Sequence, residues 1–314
     1  MRFKSIYIIL FLFLFQNLYA QKLSVQTGHS STILDLEYSP DGKYLVSSGM
    51  DNKIILWDLI SSKQMNMLSG HNGPVNSITF HPVKNMIASA GDDKTVRLWE
   101  YPSGKLLETF VFFTHKVKSV DFNSDGTELA CASDSIYIIK LKDKTHKTID
   151  KKARKLFYTV TYSNLNKYIA FGGRKERKLY LFNISKDKIV KSSKNHSNNI
   201  VIDKKDKYLY SAGNKGNIRR VSINTISAHG KFILPAERNW YSFFAVAINK
   251  TLLFAANKNG LIYVYNRKNG TKKNILKAHK RQVKALSISP DEKFLASAGD
   301  DKKLSFGILK IIEL

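Results

Sequence analysis

The sequence predicts an all-β protein built from seven repeated units of short strands. Similar segments around His29, His71, His115 and His279 recur at intervals of 42, 44 and 164 residues, and 164 is four intervals of 41. A fixed period in the low forties indicates four strands per unit. The 294 residues after residue 20 make seven units of 42. No long helical periodicity with caps follows residue 20, so we expect almost no helix.

The first unit shows the strand signals in their order. An alternating apolar segment at 33–39 leads into a turn at 40–42, a second strand at 44–48, a tight turn at 50–52 and a third strand at 54–57. Apolar alternation bounded by Pro, Asp, Asn and Gly is typical of half-buried strands joined by hairpins. The predicted repeats fall at approximately 28–58, 70–100, 114–141, 155–184, 196–223, 236–266 and 278–309.

Units one, two and seven resemble a known family. Gly-His opens a unit, and a Trp followed by an acidic residue closes it, at Trp57-Asp58 and Trp99-Glu100. These features are similar to WD repeats, the units of a β-propeller. The resemblance covers roughly residues 22–314 and is weak in units three to six. It implies a seven-bladed β-propeller over 21–314, closed by the N-terminal strand 22–27, which completes the last blade.

The resemblance also implies a buried hydrogen-bonded chain of His, Ser or Thr, Asp and Trp in each blade. In the first and second units these residues are separated by 18, 4 and 6 positions, and the seventh unit keeps 18 and 4 but has Gly307 in place of Trp. Because each member gives another a partner, we interpret them as structural and not catalytic. The expected chains are His29, Ser47, Asp51 and Trp57; His71, Ser89, Asp93 and Trp99; and His279, Ser297 and Asp301.

The third unit has a histidine but lacks the tryptophan. We expect His115 to take the blade position of His29 and His71, and Cys131 to be a small buried residue in the second strand. A single cysteine excludes an intrachain disulfide and a cysteine-based zinc site. The sequence also contains no His-x-x-x-His, calcium loop or phosphate-binding glycine loop. We therefore expect no metal and no cofactor.

The first twenty residues have the layout of a secretory signal peptide. Arg2 and Lys4 precede ten apolar or aromatic residues at 6–15, and Ala20 offers a small residue before a cleavage site. The apolar run is shorter than the ~20 residues that a spanning helix needs. We expect 1–20 to be removed, leaving a mature chain without a transmembrane span in a periplasm or outside the cell.

The basic charge lies mainly in the second half of the chain. The formal net charge is +26, and residues 151–235 carry 20 basic and 4 acidic groups. This asymmetry indicates either an anionic partner or a compositional bias that maintains solubility. Two loops of the fourth unit should meet on one rim of the ring, and they form the candidate partner-binding site: Lys151, Lys152, Arg154, Lys155, Arg174, Lys175, Arg177 and Lys178.

These observations favour an exported, non-catalytic and monomeric scaffold for protein–protein interaction. Its partner would be an acidic protein or an anionic envelope polymer, and no physiological nucleic acid is expected despite the charge. The alternative is a propeller hydrolase or lyase that acts on an exported carbohydrate or lactone in the central channel. His229 and Glu237 are candidates for such a site.

Overall fold

The computed structural model describes residues 23–25, 28–149, 156–173, 178–194, 199–213, 218–223 and 243–308. All regular structure in these residues is β. In chain order the strands are β1 (Leu23–Val25), β2 (Ile33–Tyr38), β3 (Tyr44–Gly49), β4 (Ile54–Asp58), β5 (Lys63–Leu68), β6 (Val75–Phe80), β7 (Met86–Gly91), β8 (Val96–Glu100), β9 (Leu106–Phe110), β10 (Ser119–Phe122), β11 (Glu128–Ala132), β12 (Ile136–Lys140), β13 (His146–Ile149), β14 (Thr159–Tyr162), β15 (Tyr168–Gly173), β16 (Lys178–Asn183), β17 (Lys188–Lys194), β18 (Asn199–Ile202), β19 (Tyr208–Ala212), β20 (Ile218–Ser222), β21 (Phe243–Ile248), β22 (Leu252–Asn257), β23 (Leu261–Asn266), β24 (Lys272–Lys277), β25 (Val283–Ile288), β26 (Phe294–Gly299) and β27 (Leu304–Ile308).

The strands form seven antiparallel sheets, which confirms the predicted seven-bladed β-propeller. Blades one to four contain β2–β5, β6–β9, β10–β13 and β14–β17 in chain order. The described part of blade five contains β18–β20, blade six contains β21–β24, and blade seven contains β25–β27. Each first strand packs beside the first strands of both neighbouring blades, and β25 packs beside β2, so these strands surround the axis of the ring.

The described N-terminal strand lies in the seventh sheet. β1 pairs antiparallel with β27, with Leu23 opposite Phe306 and Val25 opposite Leu304. The idea that strand 22–27 locks the ring stays a prediction, because residues 22, 26 and 27 lie outside the described residues. The signal peptide at 1–20 lies outside them as well.

Apolar side chains between neighbouring blades hold the ring together. One cluster joins Leu45 and Trp57 of blade one to Ala296 and Leu304 of blade seven. Where the polar chain is missing, aromatic packing takes its place. In blade four Phe171 stacks on Tyr180 at 5.2 Å and meets Phe157 edge-on, also at 5.2 Å.

Two ends of the ring can be distinguished from the strand directions. The loop face carries the segments that lead into each first strand and the turns between second and third strands. The turn face carries the turns between first and second strands and between third and fourth strands. The alternation of antiparallel strands places these connections at opposite ends of every blade.

Candidate interaction faces and central channel

The polar chain of blade one is assembled from four segments of that blade. His29 Nδ1 lies 3.0 Å from both carboxylate oxygens of Asp51, and His29 Nε2 lies 2.9 Å from Ser47 Oγ. The indole N–H of Trp57 donates to the same hydroxyl at 2.8 Å. A carboxylate only accepts, so Nδ1 carries the proton and Nε2 accepts from the Ser47 hydroxyl.

Burial and hydrogen bonding set the charge states in this chain. Burial lowers the pKa of His29, against the opposing effect of Asp51. For Asp51, burial would raise the pKa, but hydrogen bonds from His29 and from the Ser30 N–H outweigh it and lower the pKa. The chain therefore holds a neutral imidazole beside an ionised carboxylate.

Blades two and seven bring the corresponding residues together. His71 lies 2.8 Å from Asp93 and 2.7 Å from Ser89, whose hydroxyl accepts from the Trp99 indole at 2.8 Å. The seventh blade has the same set without the tryptophan: His279 lies 2.8 Å from both Asp301 and Ser297. A Cβ at Gly307 would meet no atom within 4 Å, so open space remains where the indole would lie.

Blade three departs from this arrangement, and the prediction for His115 was wrong. Its side chain is 59% exposed and lies 3.5 Å from Asp134. Cys131 pairs with Tyr137 as Ser47 pairs with Ile55, so a thiol stands in the serine place. The following turn has three residues (133–135) where blade one has five (49–53). Phe113, which is 4% exposed, lies six residues before Ser119, as His29 lies six residues before Asp35. Phe113 therefore takes the histidine place, and His115 lies two residues further along, at the surface.

The basic candidate site of the fourth blade falls largely outside the described residues. This applies to Lys151, Lys152, Arg154, Lys155, Arg174, Lys175 and Arg177. Lys178 is described: it is exposed, begins β16 and lies opposite Gly173. His229 and Glu237 of the catalytic alternative also lie outside the described residues.

A second group of cations lies on the loop face of blade seven, and the sequence analysis did not single it out. Lys280, Arg281, Lys302 and Lys303, here called the blade-seven basic cluster, are all exposed. Their two loops meet at one carboxylate: Asp301 accepts the Lys280 N–H at 3.2 Å and the Lys303 N–H at 3.3 Å. Within the described part of the chain, none of the four side chains makes an ion pair.

The basic residues beside blade three contrast with this cluster. Lys116 Nζ and Lys118 Nζ lie 2.6 Å and 2.5 Å from the carboxylate of Asp92. Burial would raise the pKa of Asp92, but hydrogen bonds from these two lysines lower it. Both of these lysines are paired with a carboxylate, whereas no side chain of the blade-seven basic cluster makes an ion pair with a described residue.

The first strands face the axis of the ring with backbone N–H groups that have no strand partner. Side chains of the preceding blade satisfy several of them, because a buried N–H without an acceptor is costly. Asp35 accepts from the Ile78 N–H at 3.0 Å, and Asp121 from the Tyr162 N–H at 2.8 Å. Smaller side chains serve elsewhere, as when Ser77 accepts from the Val120 N–H at 3.3 Å.

This arrangement brings three carboxyl groups to the axis of a strongly basic protein. Burial raises the pKa of Asp35 and of Asp121 to about 6, and burial together with the nearby Asp121 and Asp35 raises that of Glu37 well above its usual value. The sequence does contain a signal for them, namely polar residues at alternate positions of apolar first strands. Asp35, Ser77 and Ser119 recur every 42 residues.

Two families match parts of the chain. The family WD40, described as WD domain, G-beta repeat, matches residues 20–58, 62–100 and 270–306. The family described as Eukaryotic translation initiation factor eIF2A matches residues 114–232. The three segments matched by the WD40 family overlap units one, two and seven, in which the residues of the polar chain are regularly spaced. No group of three or more His, Cys, Asp or Glu side chains suited to a metal ion occurs among the described residues.

Proposed function

Because the chain belongs to the WD-repeat β-propeller family, we propose that it is an exported, non-catalytic interaction scaffold that binds an acidic partner on its loop face. A propeller of this family fits a role in protein–protein interaction. The single observation that supports an acidic partner is the blade-seven basic cluster. Clustered exposed cations that make no ion pair with a described residue repel one another, and an anionic surface would relieve that repulsion.

Among the described residues, no acidic side chain of the loop face forms an ion pair with these four cations, and Asp300 of the same turn lies 3.8 Å from Lys284 instead. Asp51, Asp93 and Asp301 are each committed to a histidine of the polar chain. Asp92 is occupied by two lysines. The loops of the fourth blade carry further basic residues in the sequence, so the proposed anionic surface would contact the rim near blades four and seven.

We do not infer a role in translation from the match to the family of translation initiation factor eIF2A. The matched residues 114–232 contain the strands from β10 to β20, which are repeated propeller elements. A match over repeated strands supports the fold, whereas function depends on specific sites.

The catalytic alternative has one feature in its favour, the carboxyl groups at the axis. However, Asp35 and Asp121 each accept a backbone N–H of the next blade. These hydrogen bonds give the two carboxyl groups a structural role, which is to link neighbouring blades. We therefore favour a binding function of the protein over a catalytic one.

Export is the part of the proposal that concerns residues 1–20. We expect signal cleavage after Ala20, which would leave β1 two residues from the new amino terminus and available to complete blade seven. Mass spectrometry of the N-terminal peptide from exported protein should begin at Gln21. A peptide that begins at Met1 would contradict both cleavage and this form of export. No helix in the described part of the chain is long and apolar enough to cross a membrane.

Charge reversal tests the acidic partner. The variant Lys280→Glu with Lys302→Glu should bind immobilised poly-L-glutamate at least about tenfold more weakly than the unchanged protein, since each reversal replaces attraction by repulsion. Binding of the unchanged protein should weaken as salt rises, because the Debye length falls to ~8 Å at physiological ionic strength. Surface plasmon resonance over a salt series measures both effects.

The matched control carries the same change of charge on the turn face. Lys142→Glu with Lys268→Glu reverses two exposed lysines there and should change the affinity far less. If both double variants lost affinity for poly-L-glutamate equally, net charge alone would drive binding. Arg174→Glu with Lys178→Glu tests the fourth blade in the same assay, and full affinity in that variant would remove those loops from the site.

A further inference from the structure

A cavity of about 370 Å³ opens on the turn face between blades seven and one. Its walls include Tyr38 and Leu59 of blade one, and Phe294 and Phe306 of blade seven. Phe294 is 41% exposed, although it is a large apolar side chain. The cavity lies at the opposite end of the ring from the basic loop face, so it is a second surface and does not depend on the function proposed above.

The neighbouring interface between blades one and two shows what fills the corresponding space. There Tyr101 is only 6% exposed. Its ring meets Phe80 edge-on at 4.9 Å and Tyr44 edge-on at 5.8 Å. One aromatic ring of the protein itself therefore occupies the space between these two walls.

Strand pairing establishes that the two interfaces correspond. Phe294 begins β26 as Tyr44 begins β3, and Tyr38 ends β2 as Phe80 ends β6. The remaining position is held by Leu59 in one interface and Tyr101 in the other. Both residues follow the third strand of their blade, and each donates its N–H to the carbonyl at the matching position of that blade. Leu59 donates to Lys43 O at 3.0 Å, and Tyr101 donates to Asn85 O at 3.1 Å.

At this position, therefore, the cavity has a leucine where the next interface has a tyrosine. Leu59 is shorter and lacks a ring, so position 59 places no aromatic side chain between the walls formed by Tyr38 and Phe294. Apolar and aromatic walls of this kind stabilise a buried ring by removing apolar surface from water and through edge-to-face contacts.

Two carboxylates flank the mouth of the cavity. Asp41 and Asp291 occupy matching turns, and each accepts from the serine two residues earlier at 2.6 Å, from Ser39 and Ser289. Burial would raise the pKa of Asp41, but its hydrogen bond from Ser39 and others outweigh it and lower the pKa. The hydrogen bond from Ser289 lowers the pKa of Asp291. Both groups are therefore ionised at neutral pH.

The lysines nearest these carboxylates do not neutralise them firmly. Lys43 Nζ lies 3.5 Å from Asp41, and Lys293 Nζ lies 3.3 Å from Asp291. Each lysine side chain is 62% exposed. Exposed pairs of this kind contribute little, so a cation from outside can replace them.

We propose that this cavity is a binding site for a tyrosine or phenylalanine side chain of a partner protein, presented by a segment with a lysine or arginine beside it. The aromatic ring takes the place that Tyr101 fills in the next interface. The neighbouring cation lies between Asp41 and Asp291. The protein would then have a loop face for an acidic surface and a turn-face cavity for a basic, aromatic segment.

The test uses three acetylated tripeptide amides: lysine-tyrosine-lysine, lysine-alanine-lysine and glutamate-tyrosine-glutamate. Titration of isotope-labelled protein, followed by NMR of the Gly42 and Gly307 amides at the cavity, reports binding at this place. We expect the first peptide to shift these signals saturably, and the other two to bind at least about tenfold more weakly.

The variant Leu59→Tyr supplies the missing ring from the chain itself and should weaken binding of the first peptide at least about tenfold. Because it reproduces a side chain that the fold already accommodates at Tyr101, it should fold. Ile60→Tyr is the matched control: Ile60 is 83% exposed and lies next to Leu59. This control should bind like the unchanged protein.

Five outcomes would overturn the proposal. Equal binding by Leu59→Tyr, or equal binding of the alanine peptide, would mean that no aromatic ring enters the cavity. Equal binding of the glutamate peptide would remove the basic requirement. A concentration-dependent dimer that Leu59→Tyr abolishes would make a second copy of the chain the occupant. A large gain in peptide affinity after deletion of residues 309–314 would make the carboxyl terminus of the chain the occupant.

Discussion

Replacing Asp51 with alanine should lower the free energy of unfolding by ~1–3 kcal/mol. The carboxylate lies 3.0 Å from His29 Nδ1 and accepts the N–H groups of Ser30 at 2.8 Å and Lys53 at 3.3 Å. His29 is only 4% exposed, so water cannot replace the lost partner. Trp57→Phe should cost less, because it keeps most of the packing and removes only the donor to Ser47. Urea denaturation at pH 7 measures both changes.

Asp134→Ala is a control in which the histidine neighbour is at the surface, although this substitution also removes the acceptor of the Tyr137 hydroxyl at 3.1 Å. His115 is 59% exposed, and water can solvate it after the substitution. If Asp134→Ala destabilises the protein as much as Asp51→Ala, burial of the polar chain is not the source of its contribution.

The Asp51 effect should also depend on pH in a defined direction. The pKa of Asp51 is lowered in the folded protein. Its contribution is therefore present at neutral pH and is lost as the pH falls through that lowered pKa. The difference in the free energy of unfolding between Asp51→Ala and the unchanged protein should become smaller at acidic pH.

Asp121→Asn should raise the free energy of unfolding at pH 8, whereas Asp51→Ala lowers it. Burial raises the pKa of Asp121 from 3.8 to about 6. The folded protein then binds more protons than the unfolded chain between these values, so stability falls as the pH rises through this window. Asparagine does not ionise, and its oxygen can still accept the Tyr162 N–H. The gain should reach up to about 3 kcal/mol, since one pKa unit corresponds to about 1.4 kcal/mol.

The comparison of pH 8 with pH 4 identifies the source of that gain. At pH 4 the gain should have largely disappeared, because the folded protein then holds Asp121 protonated. Asp187→Asn is the control: its side chain is 74% exposed and pairs with Lys147 at 3.0 Å, so no gain at pH 8 is expected. A loss of stability in Asp121→Asn at pH 8 would show that the ionised carboxylate is needed to hold the Tyr162 N–H.

The contacts within blades one and two were predictable from the sequence. His29, Ser47, Asp51 and Trp57 lie within 29 residues of one another, and antiparallel pairing of short neighbouring strands fixes how they meet. The same spacing in the second unit made the pattern specific. The third unit also contains a histidine, His115. It has Cys131 in the serine place and a shorter turn, however, so the position predicted for His115 from its histidine alone was wrong.

The sequence by itself determined the all-β repeat, the number of blades and the polar chains, because these depend on residues that are close along one meander. Only the tertiary structure decided which N–H groups the axial carboxyl groups bind, where the cations of blade seven gather, and that Leu59 leaves a cavity against Phe294. The axial contacts and the cavity join residues of different blades, and the cavity joins residues at opposite ends of the chain. Their chemistry depends on ring closure, which brings the first blade beside the seventh and places side chains of one blade against the backbone of the next.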